Sequence, residues 1–101
     1  MIALDVGSST GGFTQCLLMH GVKRVYAVDV GRGQMDPKLR YDPRVVLYEE
    51  TDARELTEEH IPQSVDLITV DVSFIPIYKE YWCNIFTRFE YFKPKIHILY
   101  G

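Results

Sequence analysis

Short, almost uninterrupted apolar runs are the feature of this 101-residue sequence that most constrains its fold. Two of them read VYAV (25–28) and LITV (67–70), without the polar alternation of a strand that has one face in water. Such runs are typical of strands buried on both faces of a parallel sheet. We therefore predict five strands, at residues 2–6, 24–30, 44–48, 65–72 and 95–100.

The segments between these strands have the character of crossover connections. Residues 11–20 place apolar side chains at helical spacing and stop at Gly21, a good helix terminator. Residues 77–92 are the longest helical candidate, and their aromatic residues are interpreted as core rather than as a platform for base stacking. Three prolines limit the helices of the two shorter connections: Pro37, Pro43 and Pro62. The alternation predicts one α/β domain built on a doubly wound, mainly parallel sheet.

Composition and charge exclude several classes of protein. No run approaches the roughly 20 apolar residues that span a bilayer, and the start MIALD lacks the basic region of a signal peptide, so we expect a cytoplasmic protein without a membrane partner. Cys16 and Cys83 lack the spacing of a metal or redox motif, so no metal site is predicted. The net charge of −3 argues against a stand-alone RNA binder, because phosphate contacts need Lys and Arg.

One local cluster of basic residues departs from that acidic balance. It consists of Arg32, Lys38, Arg40 and Arg44. These side chains could contact RNA phosphates near a ligand site. Asp36 and Asp42 lie among them, so a solvated loop with local ion pairs is the alternative interpretation.

The first strand runs into a glycine-rich turn, DVGSSTGGF (5–13), followed by a predicted helix start. Gly7, Ser9 and Gly12 occupy the three glycine positions of a dinucleotide fingerprint, but Ser9 adds a side chain where backbone must approach a pyrophosphate. Asp5, directly before the turn, would repel a diphosphate and attract the cationic amino group and sulfonium of S-adenosylmethionine. The turn therefore favours S-adenosylmethionine over NAD, with Asp5, Gly7, Ser9 and Gly11 as the expected cofactor-binding positions.

Carboxylates follow several of the predicted strands, at the edge where ligands bind in such folds. Asp29 ends the second strand and could accept hydrogen bonds from both hydroxyls of an adenosine ribose. Asp52 follows the third strand and could accept the adenine amino group. Asp71 ends the fourth strand, whereas Asp66 begins it and is interpreted as an ordinary solvated residue.

Taken together, these segments resemble the hemolysin A (TlyA) branch of the FtsJ-like methyltransferases. The resemblance is carried by four stretches: DVGSSTGGFT (5–14), VYAVDVG with GQ (25–31, 33–34), LR with DPRV (39–40, 42–45) and DVSFI (71–75). Asp52 departs from the Asn expected in most relatives, although a side-chain oxygen could still accept from adenine. The resemblance implies a Rossmann-like fold that binds S-adenosylmethionine and methylates a ribose 2′-hydroxyl, typically in ribosomal RNA.

The resemblance also implies a Lys-Asp-Lys-Glu catalytic set, of which Asp71 would be the Asp that orients a lysine. The alternative for Asp71 is a purely structural polar end to a buried strand. Relatives carry one lysine before the first strand and a lysine and a glutamate after the fifth, so the chain is expected to be a partial domain over residues 1–101, the cofactor-binding half. An amino-terminal S4-type RNA-binding domain, usual in this branch, is likewise expected to be absent.

Three functional hypotheses remain from the sequence. The first is an RNA ribose methyltransferase domain. The second is a non-catalytic remnant or cofactor-binding module, which the missing lysines favour, and the third is a nicotinamide-dependent oxidoreductase, which Ser9 and Asp5 disfavour. A haemolytic role finds no support in an amphipathic basic helix or an apolar span. The last strand is expected to be a bare apolar edge prone to self-association.

Overall fold

The chain folds around a parallel sheet with strand order β3-β2-β1-β4-β5. The structure is a computed structural model and describes residues 1–71 and 96–100. Its elements are β1 (Ile2–Val6), α1 (Gly12–Met19), β2 (Arg24–Val28), α2 (Pro37–Arg40), β3 (Val45–Tyr48), a 3₁₀ turn (Ala53–Glu55), β4 (Leu67–Asp71) and β5 (Ile96–Tyr100). The predicted α/β fold with a parallel sheet is confirmed, and the helix predicted at 77–92 lies outside the described residues.

The central strands are buried on both faces, as the apolar runs predict. One face packs Leu4, Val28 and Ile68 against Leu56 and Ile61 of the connection between β3 and β4. The other face belongs to a second cluster, formed by Ala3, Leu18, Val22, Val25, Ala27, Met35, Val45 and Leu67, which joins the sheet to α1 and the α2 region. Because both faces of these strands are covered by apolar side chains, polar and apolar residues do not alternate along their sequences.

Helix α1 ends where the sequence predicts, and the ending has a defined geometry. Gly21 takes a left-handed φ of +88°, which a residue with a Cβ rarely adopts. Its N–H donates to the Leu18 carbonyl at 3.2 Å, and the Val22 N–H donates to the Leu17 carbonyl at 3.1 Å. These two bonds form a Schellman motif, which turns the chain toward β2. The predicted limit on the next helix is also confirmed, because α2 has four residues and begins at Pro37.

The interpretation of Asp66 as an ordinary solvated residue is wrong. Its side chain accepts a hydrogen bond from the Ile2 N–H at 2.9 Å, and its own N–H donates to the Ile2 carbonyl at 2.8 Å. The residue therefore fixes the amino-terminal end of β1 against that of β4. Sequence could not reveal this, because the partners are 64 positions apart.

Strands β3 and β5 form the two edges of the sheet within residues 1–71 and 96–100. The predicted edge position of the last strand is thus confirmed, while its self-association stays a prediction. In the same described part of the chain, no helix is long and apolar enough to cross a membrane.

Candidate functional site

The turn after β1 directs its backbone N–H groups into the protein. Gly7 and Ser8 both donate to the Val28 carbonyl, at 2.8 and 3.1 Å. Gly11 donates to the Ser8 carbonyl at 2.9 Å, and the Ser9 N–H donates to a carboxylate oxygen of Asp29 at 2.5 Å. Four N–H groups of the turn are therefore engaged within the chain, and three of them fix the turn onto Val28 and Asp29 at the end of β2.

Asp29 lies at the centre of the site, at the carboxyl end of β2. Its Oδ2 accepts from Ser9 and its Oδ1 accepts from the Gly31 N–H at 2.9 Å. The Asp29 carbonyl accepts from the Thr51 N–H at 3.0 Å, which ties the site to the end of β3. A carboxylate offers about four lone-pair positions, so each oxygen of this half-buried group can accept one more hydrogen bond from a ligand.

Asp5 lies beneath the turn and is fully buried. Its Oδ2 accepts from the Thr14 hydroxyl at 2.8 Å and its Oδ1 accepts from the Thr69 hydroxyl at 3.0 Å. These bonds join β1 to the first turn of α1 and to β4. Asp5 therefore holds together the elements that carry the turn, and its predicted direct contact with a cofactor stays a prediction.

Gly11 is the point at which the turn packs most closely against another element. It has a φ of +101° and precedes α1 as its N-cap residue. A Cβ at this position would lie 2.4 Å from Cδ1 of Leu39 and 3.5 Å from Cγ of Met35. At Gly12, by contrast, no atom of another element among residues 1–71 and 96–100 lies within 4 Å of an added Cβ. The packing of α2 on the turn therefore requires glycine at position 11, independently of any role of Gly11 in binding a ligand.

Asp52 begins the 3₁₀ turn that follows β3. Its side chain accepts from the Arg54 N–H at 2.9 Å, and its Oδ2 pairs with the Arg54 guanidinium at 2.6 Å. Glu55 completes a capping box with the Asp52 N–H. The carboxylate is therefore held in place at the same edge of the sheet as Asp29, and its predicted role toward adenine stays a prediction.

Asp71 is the last residue of β4, which lies beside β1. In the register of the two strands, Val6 is opposite Val70, so Asp71 follows one position beyond the end of β1. The backbone thus brings Asp71 to the same edge as the glycine turn, and its predicted catalytic role stays a prediction.

The basic cluster is resolved largely into ion pairs. Arg44 pairs with Asp42 at 2.8 Å, and its guanidinium lowers the pKa of Asp42 to about 2. Arg40 pairs with Glu49 at 2.6 Å, and Arg32 lies 3.8 Å from Glu50. The alternative of a loop with local ion pairs is therefore the better description, and the partner of Arg40 is Glu49. Asp36 instead caps α2 through the Lys38 N–H.

The ion pair between Arg40 and Glu49 joins helix α2 to the residue that directly follows β3. Both Glu49 oxygens accept from the guanidinium, at 2.6 and 3.0 Å, and Glu49 also accepts from the Gly33 N–H. The hydrogen bond from Arg40, followed by that from Gly33, holds the pKa of Glu49 below its ordinary value. This ion pair therefore stabilises the folded chain when Glu49 is ionised.

We expect Glu49→Gln to lower the thermal midpoint at pH 7, because the amide cannot form the ion pair. A carboxyl whose pKa is lower in the folded chain stabilises it above the unfolded pKa, about 4.3, and this stabilisation is lost as the pH falls through the lower folded value. The difference in thermal midpoint between the unaltered chain and Glu49→Gln should therefore become smaller below about pH 4. Glu58→Gln, at an exposed position, is the control. A difference in thermal midpoint that does not change with pH would contradict the stabilisation of the fold by the ionised Glu49 carboxylate.

Ser8 is the site residue that sequence analysis missed. Its side chain is only 5% exposed, and its hydroxyl has no hydrogen-bond partner within residues 1–71 and 96–100. Buried hydroxyls without partners are uncommon in folded proteins, and this one lies in the turn between β1 and α1. No sequence pattern could have identified it, because serine is ordinary in a turn.

Comparison with known proteins places the chain among methyltransferases. The family model described as "FtsJ-like methyltransferase" matches residues 1–85. "Hemolysin A" of Brachyspira hyodysenteriae is 52% identical over 79 residues, covering 77% of this chain and 33% of that protein. The "16S/23S rRNA (cytidine-2'-O)-methyltransferase TlyA" of Mycobacterium tuberculosis is 55% identical over 74 residues, covering 73% of this chain and 28% of that protein.

Solved structures agree with this placement. A structure described as "Putative hemolysin from Streptococcus thermophilus" superposes with a TM-score of 0.70 at 44% identity, covering 76% of this chain and 28% of that one. The chain spans about a third or less of the length of all three proteins. The similarity therefore concerns the part of those proteins that corresponds to the sheet and site described above.

Proposed function

We propose that this chain, which belongs to the FtsJ-like methyltransferase family, binds S-adenosylmethionine at the carboxyl ends of β1, β2 and β3. We further propose that it supplies the cofactor-binding part of an enzyme that methylates a ribose 2′-hydroxyl of RNA, with ribosomal RNA as the substrate. The observation that carries the proposal is the linked arrangement of the glycine turn and the Asp29 carboxylate.

The donors and acceptors of the site fit an adenosine better than a diphosphate. Asp29 is fixed by two backbone N–H groups and keeps acceptor capacity for the two hydroxyls of a ribose. A diphosphate needs N–H donors from the turn, but Gly7, Ser8 and Ser9 already donate to Val28 and Asp29. S-adenosylmethionine has no phosphate and makes no such demand. This supports the cofactor chosen from the sequence over NAD.

The negative charge of the site supports the same choice. Asp29 is a half-buried carboxylate, and Asp5 lies directly beneath the turn. A cation close to carboxylates is stabilised, and more strongly where water is partly excluded. The sulfonium and ammonium groups of S-adenosylmethionine are cations, so the field of the site would favour them over an anionic ligand.

When bound, S-adenosylmethionine supplies a methyl group made electrophilic by its sulfonium. The work of this chain is to hold the adenosine through Asp29 and Asp52 and to keep the turn rigid, so that the methyl has one position. A ribose hydroxyl must give up its proton as it attacks, which requires a nearby base or a stabilised oxyanion. Asp71, at the adjoining strand end, would orient the group that performs this step, as the family resemblance implies.

Cofactor binding is tested by thermal unfolding of the purified chain with S-adenosylhomocysteine or with NADH. A ligand at a hundredfold excess over its dissociation constant adds about 2.7 kcal/mol, which is a shift of roughly 10–20 °C for a domain of this size. We expect such a shift with S-adenosylhomocysteine and none with NADH. A larger shift with NADH would overturn the proposal in favour of the oxidoreductase.

The reaction is tested by methyl transfer from labelled S-adenosylmethionine to ribosomal RNA. A 2′-O-methyl group protects the adjoining phosphodiester from alkaline cleavage, so the label should be recovered in alkali-resistant dinucleotides. Asp71→Ala should lose this label while retaining the shift with S-adenosylhomocysteine. Absence of label with both proteins would overturn the transfer step and leave cofactor binding as the function of the chain.

A further inference from the structure

We infer that Glu50 is a positioning residue, because its backbone forms a bulge after β3 that sets the place of Asp52 beside Asp29. The inference rests on the proposed function, in which Asp52 helps to hold the adenosine. The Glu50 side chain is exposed, and its ion pair with Arg32, at 3.8 Å, joins two exposed groups. Such pairs contribute little to stability, so Glu50 acts through its backbone conformation.

The bulge is visible in the hydrogen bonds that continue the pairing of β2 with β3. The Asp29 N–H donates to the Tyr48 carbonyl at 3.0 Å. In a regular parallel pair, the Asp29 carbonyl would then accept from the residue two positions after Tyr48, which is Glu50. It accepts instead from the Thr51 N–H at 3.0 Å, and the Glu50 N–H donates to the Gly31 carbonyl at 3.0 Å. Glu50 is therefore one extra residue in the pairing, which defines a β-bulge.

The backbone of Glu50 is left-handed, as in the class of bulge that usually contains glycine. Its φ is +51°, which a residue with a long side chain rarely adopts. Among residues 1–71 and 96–100, Ser9 is the only other non-glycine residue with a positive φ. Both adjoin Asp29, since Ser9 donates to its carboxylate and Glu50 precedes the residue that donates to its carbonyl. Strained backbone persists where its surroundings fix it, and it concentrates at functional sites.

Hydrogen bonds and packing fix the bulge on both sides. On the side of β3, Glu49 is held by Arg40, and the Glu49 carbonyl accepts from the Thr51 hydroxyl at 2.8 Å. On the other side, Asp52 caps the 3₁₀ turn, whose Ala53 is buried in the core. One residue more or fewer in an extended segment reverses the direction of each following side chain. The bulge therefore decides that Asp52 is directed as it is.

The test compares S-adenosylhomocysteine with S-inosylhomocysteine, in which an oxygen replaces the adenine amino group. Valine disfavours a positive φ, because its branched side chain adds steric conflict. We therefore expect Glu50→Val to weaken S-adenosylhomocysteine about 10-fold and S-inosylhomocysteine less than about twofold, so that the preference for the adenine ligand falls. Glu50→Gly and Glu50→Asn accept a positive φ and should keep both affinities within about twofold.

Glu58→Val is the matched control, because Glu58 is an exposed glutamate outside the left-handed region. Calorimetric titration gives each affinity, and this control should leave both unchanged. If Glu50→Val does not fold, Glu50→Thr, which is also branched at Cβ but polar, is measured in its place.

The other outcomes each overturn the inference in a distinct way. Equal losses for both ligands in Glu50→Val would make the bulge a general support of the fold, and no loss would show that Asp52 keeps its place without it. Equal losses in Glu50→Gly and Glu50→Val would assign the effect to the carboxylate of Glu50. Equal affinity of the unaltered chain for the two ligands would show that Asp52 does not recognise the amino group. Failure of the unaltered chain to bind S-adenosylhomocysteine would refute the proposed function, and this inference with it.

Discussion

Gly11→Ala is expected to lower the free energy of unfolding by about 2–5 kcal/mol, from left-handed backbone strain of roughly 1–2 kcal/mol and overpacking of about 1–3 kcal/mol. The strain follows from the φ of +101°, and the overpacking follows from a Cβ placed 2.4 Å from Cδ1 of Leu39. The clashing atom ends a side chain and can move somewhat, so the result should lie toward the lower value. Domains are stable by only about 5–15 kcal/mol, so this loss is large.

Gly12→Ala is the matched control for this prediction, because the two glycines are adjacent. In the described part of the chain, and apart from its own helix backbone and chain neighbours, Gly12 has no atom within 4 Å of the added carbon. It also begins α1, where alanine is the better helix former. We expect it to be neutral or slightly stabilising in urea denaturation. Equal destabilisation by both substitutions would indicate that the turn tolerates no side chain at all, and that packing against α2 is not the reason for Gly11.

Asp29→Asn is expected to weaken S-adenosylhomocysteine by at least about 100-fold, because charge-assisted hydrogen bonds contribute about 1.5–3 kcal/mol each. The asparagine can accept through only one atom, whereas Asp29 accepts from Ser9 through Oδ2 and from Gly31 through Oδ1. Its amide N–H would face one of those N–H donors. The variant therefore loses the acceptor for the ribose and also releases one end of the glycine turn.

Asp36→Asn provides the control for Asp29. Asp36 also accepts from an N–H two positions ahead, that of Lys38 at 2.9 Å, but it is exposed and its side chain caps α2. Asp36 contacts the glycine turn through its backbone N–H, which donates to the Thr10 carbonyl at 3.0 Å and is kept in the variant. Asparagine is as good an N-cap residue as aspartate, so stability and affinity should both be unchanged. Calorimetric titration of both variants checks the pair. Unchanged affinity in Asp29→Asn would contradict the placement of the ribose, and with it the alignment of the cofactor along the strand ends.

Much of the fold could be predicted from local sequence, because its causes are local. The runs at 25–28 and 67–70 identify strands covered on both faces, and Gly21 marks the end of α1. The first strand has the predicted bounds, whereas the second was predicted two residues too long, because β2 stops at Val28. There Asp29 leaves the strand direction to bond the turn, and a propensity for extended structure contains no information about such a bond.

The position of the candidate carboxylates at the strand ends was predicted, whereas the hydrogen bonds that they make within the chain were not. Asp5 and Asp29 were both identified as acidic residues at strand ends, with different parts of the cofactor assigned to them, but their difference in burial could not be predicted from the sequence. In the structure one is fully buried between two threonine hydroxyls, while the other is half-buried and holds the turn. The difference arises because one side chain points between packed elements and the other lies beyond the edge of the sheet.

The sequence alone determined the strands, the glycine turn and the family, since each depends on residue types close together along the chain. Only the tertiary structure decided which groups satisfy one another. The Thr69 hydroxyl reaches Asp5 across 64 positions, and the Ser9 N–H reaches Asp29 across 20. Such pairs are set by strand order and register, and a hydrogen bond requires its atoms within about 3 Å. The tertiary structure likewise leaves the Ser8 hydroxyl buried without a partner among the described residues, which its position in the sequence does not reveal.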